Sequence, residues 1–142
     1  MATAVAPGQG GIAVIRLSGP DAEAIGRALV VCPGRQDWSS HRILYGHVLD
    51  AGRSRRLDEV LLLLMRGPRS FTGEDVVEIH CHGGVIAVQQ VLERVLAQPG
   101  VRRARPGEFS QRAVLNGRLD LTQAEAISEL VAARSRRAAD LA

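Results

Sequence analysis

The residues best suited to chemistry in this chain sit on one short stretch. Over residues 76–82 the sequence alternates, so Val77, Ile79 and Cys81 point one way while Glu78, His80 and His82 point the other together with Val76. One face of that strand is polar. Gly83-Gly84 follows it directly and leaves room for a ligand to approach the backbone. His80 and His82, with Glu78 or His47, are ligand types that zinc accepts. The stretch lacks the further cysteines or the His-Glu-x-x-His frame that makes a metal assignment specific, so the lining of a cleft is the better reading and no metal is assigned.

Other patterns narrow the chemistry. Gly8-Gln9-Gly10-Gly11-Ile12-Ala13 fits the letters of the dinucleotide fingerprint, but that motif must leave a strand and open a helix, whereas here a strand-like run, residues 12–17, comes next. A tight turn before a strand is the expectation. All 18 basic residues are arginine, and without a lysine no P-loop of the form G-x-x-x-x-G-K-[ST] exists in these residues. Ser70 and Ser110 lie in no nucleophile elbow. The 2 cysteines, Cys32 and Cys81, form no Cys-x-x-Cys pair and read as structural thiols.

The elements that must position these residues follow from pattern and punctuation. Residues 12–17 form a β-branched strand, Ser18-Gly19-Pro20 starts a helix, and that helix runs to about Val31. Residues 32–40 are a loop and 42–49 a strand. Residues 60–65 are apolar throughout, which predicts a central strand covered on both faces. After Gly83-Gly84, the helical spacing of Val85, Val88, Val91, Leu92 and Val95 predicts a covering helix that ends before Pro99-Gly100. A short helix from about Glu108 stops at Asn116-Gly117, and Thr122-Gln123-Ala124-Glu125 reads as a capping box for another. That last helix carries a stripe of Ala124, Ile127, Leu130 and Val131 that needs a partner. The fold class is α+β: a mixed β-sheet covered by helices.

Composition bounds the rest. At 142 residues, with 46% hydrophobic and 23% charged residues, the chain has material for one sizeable core and none of the signature of disorder. No apolar run approaches a membrane span, and the first eight residues do not read as a secretory signal, so a cytoplasmic location is expected. Three arginine clusters, Arg53-Arg55-Arg56, Arg102-Arg103-Arg105 and Arg134-Arg136-Arg137, have the fork that suits RNA phosphates. With only 3% aromatic residues there is little surface for stacking bases, and a solvated surface is the plainer reading.

Three stretches together carry a family resemblance: residues 7–19 (PGQGGIAVIRLSG), 70–84 (SFTGEDVVEIHCHGG) and 105–126 (RPGEFSQRAVLNGRLDLTQAEA). In this order they resemble the N-terminal domain and first helix of the MnmE (TrmE) family of tRNA-modification GTPases. The resemblance implies residues 1–117 as a folate-binding and dimerisation domain similar to the glycine-cleavage T protein, and residues 118–142 as the start of a helical domain. It further implies a homodimer, a bound one-carbon tetrahydrofolate (the 5-formyl or methylene form), a partner protein MnmG, and modification of the wobble uridine of tRNA. Potassium and magnesium belong to a GTPase domain outside these residues, so no catalytic residue is assigned here. The family's folate-contacting arginine corresponds to Arg16, its carboxylate to Glu78, and its basic residue after the Asn-Gly turn, usually lysine, to Arg118. The family sequence usually begins several residues earlier, and arginine at 118 keeps the charge while changing its geometry. Alternatives are a stand-alone tetrahydrofolate-binding module and a T-protein-like aminomethyltransferase.

Overall fold

The computed structural model describes residues 2–7 as backbone, residues 13–120, and residues 122, 123, 125–127, 129 and 130. Strands β1 (Ala2–Pro7) and β2 (Ala13–Ser18) pair antiparallel, with Pro7 opposite Ala13. Of the glycine-rich motif, residues 8–12 lie outside the described residues, but a strand stands on either side of them rather than the strand and helix that the dinucleotide fingerprint needs. Helix α1 (Ala22–Leu29) then leads to the short strand β3 (Val30–Val31), and β4 (Arg42–Leu49) and β5 (Arg56–Met65) form a long hairpin. Strand β6 (Val76–Cys81), helix α2 (Gly84–Leu96), strand β7 (Arg102–Arg103) and helix α3 (Glu108–Leu115) complete the order.

The sheet runs β3-β4-β5-β6-β2-β1-β7. Every pairing is antiparallel except β1 with β7, so the sheet is mixed, as expected. Both edge strands are two residues long, and beside β3 the Gln36 amide accepts from Tyr45 N and donates to the Tyr45 carbonyl, covering a further position of β4. Helices α1 and α2 cover one face, where Ile15, Leu17, Val60, Leu62, Leu64, Val77, Ile79 and Cys81 pack against Ile25, Leu29, Val88, Val91, Leu92 and Val95. Each such side chain contributes roughly 1.5–3 kcal/mol on full burial, so this layer holds the sheet and leaves the other face free for polar residues.

Several expectations change in detail. In residues 60–65 only Val60, Leu62 and Leu64 are buried and Leu61 is 37% exposed, because helices cover one face of this antiparallel sheet and not both. The first helix stops at Leu29, since the β-branched Val30 and Val31 pair with β4 instead. Ser18 does not cap α1: it ends β2 fully buried, and Asp21 stands at the cap. Val85 leaves the apolar stripe of α2 and is 79% exposed. The capping box lies two residues earlier than expected, where Asp120 N donates to Gln123 Oε1 at 2.9 Å and Gln123 N donates to Asp120 Oδ1 at 2.7 Å. Of the stripe beyond it, Ala124 and Val131 lie outside the described residues, and Leu130 is 67% exposed.

Candidate functional site

Register brings together two residues that are 62 positions apart. Arg16 on β2 stands directly opposite Glu78 on β6, both on the face away from α1 and α2. Arg16 Nε and Nη2 both donate to Glu78 Oε2, at 2.8 and 2.7 Å. Glu78 Oε1 is 3.1 Å from His80 Nε2, which donates to it in the tautomer that carries the proton there. The alternation expected for this strand holds, with Val77, Ile79 and Cys81 buried in the core and Glu78 and His80 on the other side. Phe109, near the start of α3, lies with its ring centroid 5.9 Å from the Arg16 guanidinium carbon. The Arg16 side chain is 39% exposed and that of Glu78 only 12%, so the arginine is the more solvated partner of the two. A carboxylate oxygen accepts along two lone pairs, so Oε2 is saturated by Arg16 while Oε1 keeps one direction free.

Arg118 joins a different set of contacts. Its Nε donates to the Ser70 carbonyl at 2.8 Å, and among the described residues no hydrogen bond joins it to Arg16 or Glu78. Around it, α3 is fastened to β2 and to the loop before β6. Glu108, 6% exposed, receives Arg102 as a fork at 2.7 and 2.5 Å, Arg112 Nη2 at 2.8 Å and the Arg105 backbone N–H at 2.9 Å. The Arg102 guanidinium first, then the Arg105 amide and Arg112, hold the Glu108 carboxyl down at about 2 against the opposing effect of burial. Arg112 Nη1 also donates to Glu74 Oε1 at 2.9 Å and to the Ser18 carbonyl at 3.0 Å. Ser18 Oγ donates to Glu74 Oε1 at 2.9 Å and lies 2.7 Å from Thr72 Oγ1, so the one hydroxyl proton of Ser18 goes to the carboxylate and Thr72 supplies the other.

At the opposite end of β6 the glycine pair has a purpose other than the one expected. Asp58 Oδ2 accepts from His82 N at 2.9 Å and Gly83 N at 3.2 Å, and a Cβ on Gly83 would come within 2.6 Å of Ala87 Cβ and 2.8 Å of Asp58 Oδ1. The close approach at Gly83 is therefore made by the chain itself, while the position of a Cβ on Gly84 is open space. Beside it lies an open concavity of about 540 Å³ lined by Asp58, Glu59, Leu61, His82 and Gly83; neither Arg16 nor Glu78 lines it. Among the described residues no group of three His, Cys, Asp or Glu side chains is arranged to hold a metal ion. Both cysteines are free; burial, helped by Asp58, pushes the Cys81 thiol up to about 12, which leaves it protonated and unreactive near neutrality.

The Glu108–Arg112 contact was open to sequence reasoning, because a carboxylate and a guanidinium four residues apart share a helix face. Phe109 over Arg16, and Ser18 against Thr72 and Glu74, join segments more than fifty residues apart and leave no local signal.

The chain is thus an α+β domain with α1 and α2 on one face of a mixed sheet and, on the other, a charged pair beside α3. It belongs to the family described as GTP-binding protein TrmE N-terminus, whose sequence profile matches residues 1–118. It is 84% identical over all 142 residues to the tRNA modification GTPase MnmE of Synechococcus sp. (strain CC9605), of which it covers 31%. It is 80% identical to the tRNA modification GTPase MnmE of Prochlorococcus marinus (strain MIT 9303), again over its whole length and 30% of that protein. The chain therefore spans about 31% of the length of the curated relatives it matches and corresponds to an N-terminal region of them.

Proposed function

We propose that this chain is the part of a tRNA-modification GTPase that binds a one-carbon tetrahydrofolate, at Arg16 and Glu78 on the sheet face away from α1 and α2. The observation that carries the reading is the Arg16–Glu78 pair itself: a largely buried carboxylate beside an exposed guanidinium, flanked by His80 and by the half-buried ring of Phe109. A reduced pterin displays a row of N–H donors that a carboxylate accepts, and its glutamate tail needs a cation. The residue types fit. Glu78 has one free acceptor direction, so a pterin edge taking both oxygens would have to displace Arg16, and the displaced arginine is then available to the tail. Arg118 is assigned by family correspondence as a further cation of the site.

In this reading the protein is cytoplasmic, and two copies associate about a two-fold axis. Ile43, Tyr45 and Leu61, which are 68%, 39% and 37% exposed on the sheet face that carries Glu78, support an association. GTP hydrolysis, with its potassium and magnesium, belongs to sequence outside these residues, and MnmG is the partner with which the wobble uridine of tRNA is modified. Calorimetry of 5-formyltetrahydrofolate binding tests the site. Glu78→Gln keeps the size and swaps an acceptor for a donor, so affinity should fall by about 1.5–3 kcal/mol, or about tenfold or more. Unchanged affinity removes Glu78 from the site.

A further inference from the structure

We infer that the tip of the β4–β5 hairpin, through Arg53, Arg55 and Arg56, is a contact surface for the phosphate backbone of RNA; the inference rests on the reading of the chain as part of a tRNA-modification protein. All three side chains are exposed, and among the described residues none of them forms an ion pair. The nearby acids are engaged elsewhere. Asp50 Oδ1 accepts from the backbone N–H of Ser54 at 2.8 Å and of Arg55 at 3.2 Å, and its Oδ2 accepts from Ser54 Oγ at 3.2 Å. Asp58 is taken up by His82 and Gly83. Residues 50–56 therefore carry three guanidiniums and one carboxylate, Asp50, whose charge acts on Arg55, and Asp58 and Glu59 follow on β5.

The tip is also held in one shape. Asp50 N donates to the Arg55 carbonyl and Arg53 N donates to the Asp50 carbonyl, both at 2.9 Å, and Arg53 is kept at φ 56° in the left-handed region that a side chain disfavours. At the base Arg94 Nε donates to the Leu49 carbonyl at 3.3 Å and adds a fourth cation. Forked, pre-ordered donors suit phosphate oxygens. Between β4 and β5 the tip reads Asp50-Ala51-Gly52-Arg53-Ser54-Arg55, with no large apolar side chain of the kind that forms the core of a protein interface or enters a lipid surface. It has no aromatic ring either, so it reads backbone charge and not base identity. Glu78 stands opposite Leu63, seven residues along β5 from Arg56, or roughly 23 Å. The hairpin and the proposed folate site are thus separable.

The experiment is fluorescence anisotropy of labelled tRNA titrated with the full chain between about 50 and 200 mM salt. The variant Arg53→Ala/Arg55→Ala/Arg56→Ala should bind roughly tenfold or more weakly at the low-salt end and lose about 2–3 from the slope of log affinity against log salt. The corresponding triple lysine variant should keep the slope, and Arg27→Ala/Arg66→Ala, whose guanidiniums are paired with Glu23, should behave as the unsubstituted chain. No tRNA binding by the unsubstituted chain, an unchanged slope in the triple alanine variant, or an equal loss in the Arg27/Arg66 variant overturns the inference. So does competition by polyglutamate as effective as that by tRNA, which points to an acidic protein instead. Calorimetry with 5-formyltetrahydrofolate on the same proteins separates the two readings. A chain that binds folate but no tRNA overturns the hairpin alone, and one that binds tRNA through the hairpin but no folate upholds the hairpin and overturns the folate site.

Discussion

The two ends of the sheet use the same residue type in opposite ways. Where α3 meets the end of β2, Arg102 and Arg112 converge on Glu108, and Arg112 continues to Glu74, so guanidinium and carboxylate neutralise each other in a half-dry setting. At the tip of the β4–β5 hairpin, Arg53, Arg55 and Arg56 form no ion pair among the described residues, and Asp50 and Asp58 accept from backbone N–H groups. Arginine at the first end is a fastening between segments; at the second it is a presented charge. Both runs looked alike as clusters of basic residues. The difference is made by what the chain brings opposite them.

The largest test of this contrast is Glu108→Ala, which leaves Arg102 and Arg112 without their shared carboxylate. Arg102 is 47% exposed and can return to water, and Arg112 keeps Glu74, so the loss should be near the low end for a broken buried pair, about 3 kcal/mol in a denaturant titration. A loss below about 0.5 kcal/mol would make the network ornamental. The same carboxyl sets a pH dependence. Its folded value, about 2, lies below its ordinary 4.5, so its contribution is complete above about 4.5 and is lost as pH falls from there toward 2. Glu108→Gln should flatten that part of the stability curve, as read from thermal melts across the window.

Gly73 and Arg53 give the smaller tests. Gly73, at φ 80°, lies under α3, where an added Cβ would come within 2.9 Å of Asn116 Cβ, and Gly73→Ala should cost about 1–3 kcal/mol by melt. At the other end Arg53→Gly relieves a left-handed residue but frees the unfolded chain, and the two effects should cancel to within about 0.5 kcal/mol. A drop comparable to that of Gly73→Ala would show that the hairpin arginine holds structure, against the reading of it as a free charge.

Periodicity determined much of this protein. Alternation over residues 76–82 placed Glu78 and His80 away from the core, the spacing of Val88, Val91, Leu92 and Val95 determined a helix with one buried face, and Asn116-Gly117 determined where α3 ends, at Gly117 with φ 74°. These are local properties, set by the backbone period and by which residues tolerate a given φ. The three stretches that resemble the family were equally legible, and the family match confirms that resemblance. Only the tertiary structure decided which strand face stays uncovered, and so why Leu61 is partly exposed while Leu62 is buried. It alone decided that Arg16 meets Glu78 across a β-ladder, that Phe109 comes beside that pair, and that Arg118 turns to Ser70. Partnership between charges depends on register and on the packing of distant segments, and no residue carries that information in its own neighbourhood.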